Sequence, residues 1–271
     1  MKVLVIGGPT LDIIAVGGER TVRYGGPSIY ASATASLVGL DLDVYALGVV
    51  GWRTVESLRV IRELGGLWRG MYFSWVEGLV FEHVYRGVNR LSSMIGTTTA
   101  LTPSRILQVV NEIRPDMVIL SPVYGEVVPE VPSLLYHNYD KCVFLDIQGI
   151  QRIGIASGLL PVVASFIHAS DSEAEEIYNT IKSRILETSG YGPIRLIYGS
   201  DVYVIGHAVG ELEDPTGAGD VFTLLYAYRF CRGSDIVESV EWASRITYDM
   251  LPAINDLVKN LSMDSHSLGD G

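Results

Sequence analysis

Cysteine is nearly absent from this chain of 271 residues: Cys142 and Cys231 are its only two. Their separation lacks the short repeated spacing of a structural zinc site, and both are expected as buried thiols. Positive charge is scarce as well. Twenty Lys and Arg stand against 31 Asp and Glu, a formal net charge of −11. That balance argues against nucleic acid or an anionic membrane as the main partner. A nucleotide substrate stays open, because helix termini and a metal ion supply local positive potential. No apolar run is long enough to span a bilayer, and no signal peptide precedes the strand-like run Lys2–Ile6, so the expected location is cytoplasmic. Internal repeats, low-complexity tracts and linkers are missing. The five histidines are scattered, with no Ser or Cys nucleophile paired to them in a recognisable motif, which leaves no case for hydrolase chemistry.

What is present fits one large α/β domain over residues 1–271, with 48% apolar residues to fill its core. Lys2–Ile6, Asp43–Val49, Met117–Leu120, Cys142–Asp146, Ser165–His168 and Ile194–Tyr198 are continuous apolar runs of strand length. Such runs suit strands buried on both faces of a parallel sheet. Helical patterns lie between them. Thr102 and Pro103 open one that Pro115 closes, Asp171–Leu186 is a second, and Asp235–Leu251, stopped by Pro252, is a third. The alternation predicts a doubly wound αβα sandwich with a mostly parallel sheet. Residues 12–24 and 70–92 break the pattern by alternating apolar and polar positions, as at Val80, Glu82, Val84 and Arg86. Together they read as a small antiparallel β flap, a lid beside the main sheet.

The most informative stretch is Asp214-Pro215-Thr216-Gly217-Ala218-Gly219-Asp220, which runs into an apolar helix from Val221. Glycines let backbone approach a ligand with no Cβ in the way, and the first N–H groups of a helix have no intrahelical partner. Such a terminus receives phosphate or developing negative charge. Asp220 adds a carboxylate in the first turn that can accept a proton from an attacking hydroxyl. Read alone, the stretch also fits an ordinary turn with an acidic helix start.

The whole heptapeptide closely resembles the C-terminal signature of the ribokinase-like (PfkB) carbohydrate kinases. The resemblance implies that Asp220 is the catalytic base and that the amides of Gly217, Ala218 and Gly219 form the anion hole, with Thr216 beside the nucleotide. It implies an ATP-dependent, Mg²⁺-assisted kinase of a small polyol, with a possible homodimer formed through the lid. Gly25-Gly26 and the small-residue helix after it correspond to the family's N-terminal signature. Tyr30 stands where many members carry an asparagine that grips the sugar. The Gly-Gly followed by tyrosine, with Asp146-Ile147-Gln148-Gly149 and the nearby Arg152, is closest to archaeal-type myo-inositol kinases. This favours myo-inositol or a related cyclitol as acceptor, then a sugar or nucleoside. A ligand-binding homologue without turnover is the reading from another class.

Other positions stay open between roles. Gly7-Gly8-Pro9 lacks the spacing of a dinucleotide loop. Asp12 is expected at the C-terminal end of the first strand, where the resemblance implies it holds substrate hydroxyls, or else as a turn residue. Gln148 and Arg152 suit a polyol and a phosphate oxygen, although Arg152 equally fits a solvent-facing position. Glu173 matches the family's glutamate that organises Mg²⁺ through water, but with Asp171 it also reads as an acidic helix start. Gly199 matches a glycine that contacts the nucleotide, with Ser200 beside a phosphate. The same pair also reads as a β-turn.

Overall fold

A computed structural model describes residues 1–266 apart from 17–18, 87–88, 124, 129, 140–141, 148–163, 171–173, 175–183, 191, 208, 211 and 213. Within these bounds the first strands are β1 (Lys2–Ile6), β2 (Thr10–Val16), β3 (Glu19–Gly25), β4 (Asp43–Leu47) and β5 (Val49–Gly51). They are followed by β6 (Leu67–Trp68), β7 (Met71–Phe73), β8 (Leu79–Arg86), β9 (Asn89–Met94) and β10 (Met117–Leu120). The last five are β11 (Cys142–Asp146), β12 (Phe166–Ser170), β13 (Ile185–Thr188), β14 (Pro193–Tyr198) and β15 (Asp201–His207). The helices are α1 (Pro27–Val38), α2 (Ser57–Glu63), α3 (Pro103–Ile113), α4 (Val131–Asn138), α5 (Ala218–Cys231) and α6 (Ile236–His266).

A nine-stranded sheet runs in the order β15-β14-β13-β12-β11-β10-β1-β4-β6. All its pairings are parallel except β13–β14 and β14–β15. Residues alternate across it, as successive strand side chains must. Val3 and Val5 of β1 pack with α1, α5 and α6, while Leu4 and Ile6 pack with α3 and α4 on the other face. Both faces are therefore covered, giving the expected doubly wound sandwich. Each fully buried Val, Leu or Ile contributes roughly 1.5–3 kcal/mol. In α3 the Thr102 hydroxyl accepts from Arg105 N and Pro103 takes the first turn, as the sequence predicts. That cap is worth about 1 kcal/mol.

Three expectations for the large sheet and its helices need correction. The run Asp43–Val49 is split at Gly48, whose backbone crosses so close to Gly8 that β4 ends and β5 begins a separate pair with β7. Ile185 and Leu186 do not end a helix. They lie in β13 beside Ile167 and His168 of β12, fully buried, where an apolar pair completes the sheet. The rest of that expected helix, Asp171 and Glu173 included, lies outside the described residues, apart from Ala174 and Arg184. Pro252 does not stop α6, which continues to His266. Proline removes one backbone N–H from the ladder. Pro252 lies on the solvent side, while Leu251, Ile254, Asn255 and Val258 bury the opposite face, and that packing carries the helix through.

The flap is a four-stranded sheet in the order β3-β2-β8-β9. Its two hairpins are antiparallel, but its inner strands β2 and β8 run parallel, from Thr10↔Leu79 to Val16↔Tyr85. It spans 10–25 and 79–94 rather than 12–24 and 70–92, because residues 71–73 pair with β5 instead. Both hairpins leave the main body in the same direction, which fixes the parallel inner pair.

Candidate active site

The large sheet reverses its order at β1, with β4 on one side and β10 on the other. Open α/β sheets bind ligands at the carboxyl ends of strands at such a switch point. A cavity of about 110 Å³ lies there. Thr10 reaches it from the start of β2, Ser121 and Val123 from beyond β10, Asp146 from the end of β11, and Asp220 from α5. The small sheet contributes Asp12, Phe81 and His83 to the same wall.

The heptapeptide builds one side. Gly217 caps α5 with φ +82 and ψ −2, the left-handed region that glycine adopts without strain. It is also pressed on the Tyr30 ring, so a Cβ there would lie 2.2 Å from Tyr30 Cε1. Helix α5 begins at Ala218, which puts Asp220 in its first turn. Ser121 Oγ donates to Asp220 Oδ1 at 3.2 Å. The Ala218 N–H donates to the Pro215 carbonyl at 3.0 Å, so of the amides expected in the anion hole this one is spent on the loop itself. Asp214 orders the loop through a 3.0 Å bond from Thr216 N, and Thr216 lines the cavity.

Asp12 is 5% exposed and lies inside β2, in register with Arg23 of β3, not at the end of β1 as expected. Its Oδ1 is 3.7 Å from His83 Nε2, and His83 Nδ1 is 2.8 Å from Ser92 Oγ. Gly26 lines the cavity, while Gly25 packs on the Asp12 carboxylate. Tyr30 also lines the cavity, yet its hydroxyl donates to Asn255 Oδ1 of α6 at 3.1 Å. Burial pushes that phenol well above its ordinary pKa, so it remains a donor. The Asn255 amide donates in turn to the Asp214 carbonyl at 3.2 Å.

Asp146 is buried beside His168 and Thr223. The Thr223 hydroxyl donates to Asp146 Oδ2 at 3.4 Å, and His168 Nδ1 is 3.0 Å from Thr223 Oγ1 and 3.4 Å from Asp146 Oδ2. Behind the Gly7-Gly8 turn, the fully buried Glu126 accepts from Gly8 N, Val123 N and Val49 N. Burial outweighs those bonds and pushes its carboxyl up to about 7.

Asp220, Gly217, Gly219, Thr216, Asp12, Gly26 and Tyr30 thus meet at one cavity. Gly199 and Ser200 do not line it. They form the exposed two-residue turn between β14 and β15, with Gly199 at φ +62. Gln148, Arg152 and Glu173 lie outside the described residues. Sequence reasoning missed Ser121, His83 and Asn255, and quoted Asp146 without a role. Asp146 and Ser121 had a signal: they end or directly follow buried parallel strands.

No protein-family model and no curated relative matches the sequence. Solved structures match the fold. A pyrophosphate-dependent kinase in the ribokinase family, complexed with a pyrophosphate analog and myo-inositol, is 20% identical with a TM-score of 0.71, covering 91% of this chain and 93% of that one. Ribokinase from Giardia lamblia is 17% identical with a TM-score of 0.74, covering 97% and 99%. The nucleoside kinase of Methanocaldococcus jannaschii, an archaeal member of the ribokinase family, is 15% identical with a TM-score of 0.68, covering 96% and 97%. The chain has the ribokinase fold.

Proposed function

We propose that this protein is a kinase that transfers a phosphoryl group to a hydroxyl of a small polyol, with myo-inositol or a related cyclitol as the acceptor. One observation carries the reading: Asp220 stands in the first turn of α5, beyond a left-handed Gly217, and shares a switch-point cavity with the carboxylates of Asp12 and Asp146. Asp12 accepts from neighbouring acceptor hydroxyls, a geometry a carboxylate serves with its two oxygens. Asp220 takes the proton from the attacking hydroxyl, and the Ser121 bond to Oδ1 fixes the carboxylate's orientation. The α5 terminus at Gly217 and Gly219 faces the transferred phosphoryl group, where aligned amides and the helix dipole offset its charge. The small sheet excludes water, which competes as acceptor.

ATP is the donor in this reading, accompanied by Mg²⁺. Among the described residues no group of three or more His, Cys, Asp or Glu could hold a metal ion. Magnesium bound with donor phosphates needs only one or two protein carboxylates, and the hard oxygens of Asp146 at the cavity would fit that role. When bound, the ion neutralises charge on the phosphates. A second reading takes pyrophosphate as donor, favoured by the pyrophosphate-dependent kinases that share the fold. A homodimer through the small sheet belongs to the same proposal, and Val22 and Leu91 leave apolar surface exposed there.

The test is a donor-by-acceptor panel: ATP and pyrophosphate, each with myo-inositol, other cyclitols, ribose, fructose and nucleosides, followed by release of ADP or phosphate. Turnover highest with a cyclitol is expected. A wide preference for ribose, fructose or a nucleoside overturns the acceptor and leaves the kinase; no turnover with any pair overturns the kinase.

A further inference from the structure

A second cavity lies at the amino ends of the central strands of the large sheet, opposite the candidate site. Asp116 and Ser165 directly precede β10 and β12, Cys142 opens β11 and Cys231 closes α5. It measures about 820 Å³, with Tyr136 and Tyr139 on its wall. The chain's only two cysteines therefore face one space, although the sequence separates them widely and gives them no motif. Neither is in a disulfide, and both are half-buried rather than fully buried. They also touch: a hydrogen bond joins the two thiols, and with burial it holds the Cys231 pKa above the usual thiol value. The thiolate is the reactive species in exchange.

We propose that Cys142 and Cys231 are a reversible dithiol that closes to an intramolecular disulfide, with a small-molecule disulfide as the oxidant. The thiolate of one cysteine attacks one sulfur of the oxidant and expels the other half as a thiolate. The second cysteine gives up its proton to that departing thiolate and attacks the protein sulfur of the mixed disulfide, releasing the second half. One S–S bond breaks and one forms. Two protein thiols are oxidised while the oxidant is reduced to two thiols. The bond staples the start of β11 to the end of α5. The other ends of these elements carry Asp146 and Asp220. Closure thus tightens the frame of the candidate site from its far side without touching the cavity.

The test uses the full chain with excess oxidised glutathione at about pH 8, near the ordinary thiol pKa. Free thiols counted after denaturation should fall from two to none. Intact mass should fall by two hydrogens with no glutathione retained, and dithiothreitol should reverse both. The thermal midpoint of the oxidised protein should rise by about 5 °C or more. Cys231→Ser should stop at a glutathione adduct on Cys142, and Cys142→Ser at an adduct on Cys231. Thiols that remain free, a stable glutathione adduct on wild type, or a disulfide-linked dimer would overturn the proposal. None of these readouts depends on kinase activity, so the two proposals fail separately.

Discussion

Arg23 and Asp214, 191 residues apart, form a two-pronged ion pair: Nη1 donates to Oδ2 at 2.8 Å and Nη2 to Oδ1 at 3.4 Å. The guanidinium is almost fully buried and the carboxylate partly exposed. Because Arg23 lies on β3 and Asp214 opens the glycine loop, this pair ties the small sheet to the N-terminus of α5. Burial works to raise the Asp214 pKa, but the Arg23 hydrogen bond and charge outweigh it and hold it below the usual carboxylate value.

Arg23→Met is expected to lower the thermal midpoint and to cut kcat/KM about tenfold or more, since removing one partner strands a loop carboxylate and loosens the N-terminus of α5. The pH dependence has a definite sign. A carboxylate depressed in the folded state lends stability above its unfolded pKa of about 4, lost as pH falls through the lower folded value. Denaturant titrations from pH 7 to pH 3 should show that acid loss in wild type and a shallower one in Arg23→Met. Superimposable acid limbs would remove the pair from the stability of the fold.

Asp220→Asn should leave donor binding nearly intact and cost ~10²–10⁴-fold in kcat at saturating substrates, because the amide keeps the shape but cannot take the proton. Single-turnover rates alongside donor affinity check this. A loss under about tenfold would mean another group is the base.

The two glycines of the loop should part company. Gly217→Val meets both the Tyr30 ring and a φ of +82, so it should destabilise the protein by about 3 kcal/mol or more as well as abolish activity. Gly219→Val, inside the first turn of α5, should cost stability little, since a β-branched residue is no worse than glycine in a helix, and should still remove activity. Unfolding curves and turnover measured together on both variants decide it. Equal losses of stability would show that Gly219 also serves the backbone.

Glu126, with no cation beside it among its hydrogen-bond partners, should report on pH in the opposite sense to Asp214. Its folded pKa of about 7 lies above the unfolded value of 4.5, so the folded state holds its proton more tightly. Stability contributed below pH 4.5 is then lost as pH rises to about 7, a decline of order 3 kcal/mol for this fully buried group. Unfolding free energies from pH 4.5 to 8 should contain that decline in wild type and lack it in Glu126→Gln. Identical profiles would place the ionisation elsewhere.

The parallel core was legible because β1, β10 and β11 are continuous apolar runs, and α3, before β10, has a clear cap in Thr102 and Pro103. Leu186 and Pro252 misled for the same physical reason. Local pattern cannot tell an apolar pair that ends a helix from one that starts a strand, nor see the packing that carries α6 past a proline. In the site, the heptapeptide was readable because its chemistry is contiguous. Ser121, His83 and Asn255 were not, since each comes from a separate element and acquires meaning only when the sheets bring it to Asp220, Asp12 or Tyr30. Tyr30, singled out in the sequence as the substitute for an asparagine, does line the cavity, but its hydroxyl is committed to Asn255.

Asn255 also sets an order of events in synthesis. Every described residue lining the candidate site lies at or before Asp220. Yet the Asp214 carbonyl and the Tyr30 hydroxyl are both held by one side chain of α6, a turn beyond Pro252. A nascent chain released from the ribosome only as far as Cys231 would own all the chemistry and still lack the strut that shapes its loop. On the proposed function, competence is therefore acquired late, after α6 has docked, and the unfinished chain is kept silent by its own topology.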